Sequence, residues 1–218
     1  MALTLFAHPF SSYCQKALIA FYELEVDFTF RQLGLDEETG AEFAELWPMK
    51  RFPVLVDDGR TILESSIIIE HLDRFYGKPP RLIPDEPNLA LEVRKMDRIF
   101  DNYIQTPQQK IVFDAIRPAE VRDPHGVTEA RSMLDTIYRR LDQQMAGKEW
   151  AAGDRFTLAD CAAAPALFYA DWTHAIPQEL THLHAYRRRL LARPSFARAV
   201  DEARPYRKYF PLGAPDRD

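Results

Sequence analysis

The chain has 218 residues, with 28 Lys and Arg against 33 Asp and Glu for a net charge of −5, and it is 46% hydrophobic and 28% charged. This balance excludes a disordered chain, and the length holds one large domain or two small ones. No apolar run approaches the roughly 18 residues of a membrane helix, the start Met1 to Phe6 lacks the basic flank of a signal peptide, and the basic residues are too scattered for a nucleic-acid surface, so a cytoplasmic protein is expected.

Leu3, Leu5 and Ala7 alternate with Thr4 and Phe6, which is strand periodicity, and His8-Pro9 ends the strand. Ser11 or Ser12 then caps a helix whose stripe is Ala17, Leu18, Phe21 and Leu24 and whose end falls near Glu25. Val26, Phe28 and Phe30 alternate with polar residues, so a second, parallel strand closes a βαβ unit. A short helix is expected over 41–47. Two β-rich runs flank Asp58-Gly59, which supplies a hairpin turn, and Glu64-Ser65 opens a third helix running to Gly77.

The stretch 77–87 holds four prolines and reads as a linker. Only helical periodicity follows: one long helix from Asn88 to Arg117, kinked near Thr106-Pro107, then helices over 124–145, 158–172, 179–192 and 194–203. Thr157-Leu158-Ala159-Asp160 is a capping-box signature, and Phe156 before it is placed to pack on Cys161. The expected organisation is therefore a first domain over 1–77, a linker over 78–87 and an all-helical domain over 88–218.

This arrangement resembles the cytosolic glutathione S-transferases, in particular bacterial serine-type members of theta-like or zeta-like pattern. Three local matches carry the resemblance: Ser11-Ser12-Tyr13-Cys14 before Lys16, Phe52-Pro53-Val54-Leu55 before the third strand, and Glu64-Ser65 before the third helix. The resemblance implies an α/β thioredoxin-like N-terminal domain that binds glutathione and an all-α C-terminal helical bundle that shapes the pocket for an electrophile. It also implies a homodimer, and a cis peptide bond at Phe52-Pro53 that frees the Phe52 backbone to pair with the cysteinyl unit of glutathione.

The chemistry required is thiolate stabilisation. A thiol of pKa near 8.5 is only slightly ionised at neutrality, and each unit of lowering needs about 1.4 kcal/mol of preference for the anion. A helix N-terminus offers about 0.3–2 kcal/mol and a serine hydroxyl bonded to the sulfur about 1.5–3 kcal/mol. Ser11 or Ser12 thus becomes the donor to glutathione's sulfur. Overlay on a glutaredoxin-like C-P-Y-C pattern selects Ser11, a theta-like spacing selects Ser12, and Ser11 is the first choice. The resemblance assigns Arg51 to the glycine carboxylate. Ser65, at a helix N-terminus, suits the γ-glutamyl carboxylate and Glu64 the ammonium, with Ser66 able to share the role. Tyr103, Gln108 and Phe113 are candidates for the electrophile pocket, with Trp172, Tyr206, Tyr209 and Phe210 behind them.

Cys14 raises a competing redox reading, but no C-x-x-C pair exists and both Cys14 and Cys161 are expected as reduced thiols. The six histidines, His182 and His184 among them, form no complete ligand set, so no metal is expected. Glutathione-dependent isomerase, dehalogenase or reductase chemistry, and a noncatalytic scaffold, remain as alternatives on the same fold.

Overall fold

The computed structural model describes residues 3–218. Strand β1 (Leu3–Ala7) leads to helix α1 (Ser12–Glu23), strand β2 (Thr29–Gln32), helix α2 (Glu37–Leu46), the hairpin β3 (Val54–Asp57) and β4 (Arg60–Leu63), and helix α3 (Ser65–Phe75). The sheet order is β2-β1-β3-β4. β2 lies parallel to β1, while β3 runs antiparallel to β1 and to β4. Alternation along β1 serves two cores: Leu3, Leu5 and Ala7 face the main core shared with α1 and α3, and Phe6 packs with Leu33, Phe43 and Val54 on the α2 side.

Two boundaries differ from the sequence reading. β2 starts at Thr29 because Glu25 turns the chain with φ 52° and the Val26 amide donates back to the Phe21 carbonyl, which spends Val26 to Phe28 on leaving the helix. α2 starts at Glu37, earlier than expected, because Asp36 caps it by accepting from the Thr39 amide at 2.7 Å.

The remainder is helical: α4 (Pro87–Ile99), a π-helical segment (Phe100–Gln105), α5 (Thr106–Ala115), α6 (Pro124–Met145), α7 (Leu158–Thr173), α8 (Thr181–Leu191) and α9 (Pro194–Ala203). The expected kink is a π segment placed just before Thr106-Pro107. Pro107 has no amide to donate, and the Asp101 carbonyl accepts from both the Thr106 amide and, at 3.0 Å, Thr106 Oγ1, five residues on. α7 is buried along its whole length, which is why it shows no amphipathic stripe. At its start, Asp160 accepts from the Thr157 amide (2.9 Å) and hydroxyl (3.1 Å), the Ala151 amide (2.9 Å) and the Tyr186 hydroxyl (2.6 Å). Burial pushes the Asp160 carboxyl above its ordinary range, and these four donors oppose that shift.

The sheet-bearing half and the helical half meet along α1, which packs on α7 and α9. At that seam Lys16 is buried, its ammonium 2.6 Å from Asp97 and 2.8 Å from Asp101, and it also donates to Ser66 Oγ at 2.9 Å. Arg98 joins the cluster from outside through Asp97 at 2.7 Å. No helix among the described residues is long and apolar enough to cross a membrane.

Candidate active site

Ser11 is the N-cap of α1, in extended conformation (φ −91°, ψ 126°), and its oxygen accepts from the Cys14 amide at a long 3.4 Å. The hydroxyl proton has no part in that bond. Ser12, one residue on, is the first helical residue and is buried. A second helix start lies across from it. Glu64 precedes α3 with φ 69° and ψ 121°, a left-handed conformation that costs a non-glycine residue about 1–3 kcal/mol, and its side chain makes no capping bond. Ser65 follows as the first residue of α3 and is buried. Phe52 to Pro53 is cis.

These groups surround a cavity of about 460 Å³ that is lined by Ser11, Arg51, Phe52, Pro53, Glu64 and Ser65. Arg98, Asp101, Asn102 and Lys50 line it as well, so the wall carries both signs of charge beside two helix N-termini. That wall matches a zwitterionic ligand with more than one carboxylate. A second, smaller cavity of about 260 Å³ adjoins it, lined by His8, Phe10, Ser12, Gln105, Gln108 and Tyr169, together with Tyr209 and Phe210 of the C-terminal segment. Ser11, Phe52, Gln109 and Phe113 line both cavities. A wider cleft of about 800 Å³, between Glu23, Tyr76, Trp150 and Arg193, contains none of the candidate glutathione-site or electrophile-pocket residues of the sequence analysis.

Tyr103 lines neither of the two adjoining cavities and stands exposed on the π segment. Trp172 and Tyr206 also line neither. Ser66 is committed elsewhere, since it accepts from Lys16 and donates to Asp97 at 2.8 Å. The lining residues that sequence reasoning missed include Lys50, Arg98, Asp101 and Asn102 in the larger cavity and His8, Phe10, Gln105, Gln109 and Tyr169 in the smaller. Asp97 and Asp101, one turn apart with Arg98 between them in a helical stretch, carried a signal, because opposite charges on a largely apolar face imply pairing. Tyr169 carried none, because a helix apolar on all sides has no periodicity from which to pick a lining residue.

Burial governs the ionisable groups of the first turn of α1. Burial pushes the Cys14 thiol up to about 12, against opposing hydrogen bonds from Ser11 and His8, so Cys14 holds its proton at neutrality. Its burial and raised pKa argue against the redox reading. Burial, with the nearby Asp101 charge, likewise pushes the Tyr13 hydroxyl up to about 12. Among the described residues there is no group of three or more His, Cys, Asp or Glu side chains placed to hold a metal ion.

Family models with the descriptions "Glutathione S-transferase, N-terminal domain" and "Glutathione S-transferase, C-terminal domain" match residues 5–80 and 107–194. The chain belongs to the glutathione S-transferase family. Glutathione S-transferase GstB of Escherichia coli strain K12 is 27% identical over 173 residues, spanning 76% of this chain and 82% of that protein. A probable maleylacetoacetate isomerase of Vibrio cholerae is 27% identical over 212 residues, spanning 94% of this chain and 98% of the relative. In fold, a glutathione S-transferase from Methylobacillus flagellatus, crystallised with glutathione bound, superposes with a TM-score of 0.83 at 24% identity, covering 91% of this chain and 98% of that one. The α/β thioredoxin-like domain followed by a helical domain is thus the transferase fold.

Proposed function

We propose that this family member is a glutathione transferase in which the Ser11 hydroxyl donates to the glutathione sulfur and holds it as thiolate. The observation that carries this reading is the position of Ser11: it caps α1 and lines both adjoining cavities, whereas Ser12 is buried and lines the smaller one alone. A sulfur beside Ser11 would lie at the junction, with its tripeptide in the charged cavity and its attack directed into the smaller one. Ser65 and the α3 N-terminus receive the γ-glutamyl carboxylate, and Glu64, with Asp101 beside it, the ammonium. Arg51 and Lys50 receive the glycine carboxylate, and the Phe52 backbone pairs with the cysteinyl unit. The left-handed Glu64 supports the assignment, since strain of this kind is retained where it places a side chain for function.

The test is conjugation of glutathione to an aryl halide by separate Ser11→Ala and Ser12→Ala variants. Loss of one hydrogen bond to an anion lowers kcat/KM by about 10- to 100-fold in Ser11→Ala and by much less in Ser12→Ala. Equal turnover in the wild type and both variants would reject the serine mechanism. The protein is further proposed to act as a cytoplasmic homodimer.

A further inference from the structure

A groove of about 710 Å³ runs between the turn that joins α1 to β2, β2 itself, α9 and the segment 204–209. It shares no lining residue with either of the two adjoining cavities. Its wall is aromatic, with Phe21, Tyr22, Phe28, Phe30 and Tyr206. Phe28 is the hinge of this wall, with ring centroids 4.2 Å from Phe21 and 6.4 Å from Phe30. A volume of this order takes a small organic molecule.

Charge narrows the choice of occupant. The carboxylates of Glu25, Asp27 and Glu202 line the groove against a single cation, Arg198. Arg198 is committed, since it donates to Glu202 at 2.9 Å and stacks 3.9 Å above the Tyr22 ring centroid, while Glu202 also accepts from the Tyr22 hydroxyl at 2.6 Å. Glu25 and Asp27 are exposed and, among the described residues, their side chains make no ion pair and no hydrogen bond. The helix end adds to their charge. α1 has no basic residue in its last turn, and its Glu23 is paired with Arg193 at 2.6 Å, so the partial negative charge of the last carbonyls is not offset by a cation of the helix itself.

The turn that presents the two carboxylates is fixed by the end of α1. The Val26 amide donates to the Phe21 carbonyl at 3.1 Å, which closes the helix and sets Glu25 at φ 52°, the left-handed position where glycine is the usual residue. A glutamate there costs backbone energy that glycine would not. Glu25, Val26 and Asp27 also border the wider cleft of about 800 Å³, but on that side Lys78 and Arg155, unpaired among the described residues, supply counter-charge. Among the described residues the aromatic groove has no such unpaired cation on its wall.

We propose that this groove is a binding site for small organic cations, namely aryl-substituted ammonium ions, with the ammonium held at Glu25 and Asp27 and the apolar body laid along Phe28, Phe30 and Tyr206. Both parts of the wall favour that charge. A carboxylate attracts an ammonium directly, and the face of an aromatic ring attracts it through its quadrupole. The guanidinium of Arg198 over Tyr22 is the same contact made within the chain. An anion is repelled by both, and a neutral ligand gains only the burial of its apolar surface. Because the groove stands apart from the charged cavity, its occupant and glutathione bind side by side, and the site does not depend on the transferase reading.

The test is an NMR titration of the wild type, followed at its backbone amides, with benzyltrimethylammonium, benzyl alcohol and phenylacetate. The cation should bind at least about fivefold more tightly than the alcohol, with shifts centred on residues 21–32 and 198–206, and phenylacetate should leave those residues unmoved. Glu25→Gln combined with Asp27→Asn alters only exposed side chains and should weaken the cation by about fivefold while leaving benzyl alcohol unchanged. Equal affinities for the cation and the alcohol, an unchanged cation affinity in the double variant, or shifts centred elsewhere each overturn the proposal. A final arm repeats the cation titration with saturating glutathione. Unchanged affinity is expected, whereas competition would place the cation beside Glu64 and Asp101 in the charged cavity and refute the separate site.

Discussion

Ser11 and Ser12 differ by one position, yet that step is the boundary between a capping residue in extended backbone and the first residue of a helix. The cap has its side chain at the mouth of the helix, and the next residue is turned inward and buried. Removing the Ser11 hydroxyl should raise the pKa of the bound thiol, because only the ionised form gains from the hydrogen bond. The rising limb of kcat/KM against pH therefore moves to higher pH in Ser11→Ala, by about one to two units, and the deficit shrinks in alkaline solution. A pH-rate series on both proteins measures it, and parallel profiles would contradict the role. Lys16 makes a second prediction at this scale. Its ammonium sits between two buried carboxylates, and Lys16→Met leaves Asp97 and Asp101 with Arg98 as their remaining cation. Stability should fall by about 3 kcal/mol, read as a lower urea midpoint, because breaking a buried pair strands charge in a poorly solvated place. The sequence motif containing Lys16 suggested a ligand-binding neighbourhood, and the structure gives this residue the work of joining the two halves.

Among the elements, α2 shows most plainly how a cap works. The Asp36 carboxyl is held below its ordinary range first by the Thr39 amide, then by the Thr39 hydroxyl and by Arg31. A depressed carboxyl pKa contributes stability that is present above the unfolded value near 4 and is lost as the pH falls through the lower folded value. Asn also caps helices but does not titrate. In thermal melts the gap between wild type and Asp36→Asn should therefore be widest above pH 5 and narrow as the pH falls below about 4, and a gap that stays constant would mean that the charge has no part. Most elements were readable because their signals are local: alternation in β1, Asp58-Gly59 in the hairpin, and the Thr157 to Asp160 box of α7. What escaped was non-local or competing. The start of α2 was hidden because its first turn, Glu37 to Gly40, has almost no apolar residue to set a period. Phe28 has strand character, yet it belongs to the turn out of α1, where it packs on Phe21 with ring centroids 4.2 Å apart. Tyr103 was a candidate because it lies on the long kinked helix, and it stands exposed on the π segment, lining neither cavity.

At the scale of the whole molecule, the two cavities lie where the halves meet, and each draws lining residues from both. That is why motifs confined to the first 65 residues pointed to the charged cavity, while the smaller one, assembled largely from α1, α5, α7 and the C-terminal segment, was legible at Ser11, Ser12, Phe52, Gln108 and Phe113, with Tyr209 and Phe210 in reserve. Helices α3 and α4 carry an outer face with Ile67, Phe75 and Leu91 exposed at 52%, 61% and 67%, and Arg94 on α4 pairs with Glu70 on α3 at 2.8 Å. Apolar side chains this exposed, rimmed by charge, suit contact with a second copy. Sedimentation should accordingly give twice the chain mass of 25.3 kDa, and Ile67→Glu should shift the population to the monomer. A wild type that sediments as a single chain at micromolar concentration would refute the dimer.

The widened turn between α4 and α5 has one more outcome. Asp101 and Asn102 belong to the charged cavity, whereas Gln105 and Gln108, a few residues further on, belong to the neutral one. An inserted residue rotates everything downstream by roughly 100°, so a single helix serves as partition and offers a different chemistry to the chamber on either side. Deleting one position there would restore a regular spiral and swing the amides of Gln105 and Gln108 away from the inner chamber, together with Gln109 and Phe113, which line both chambers.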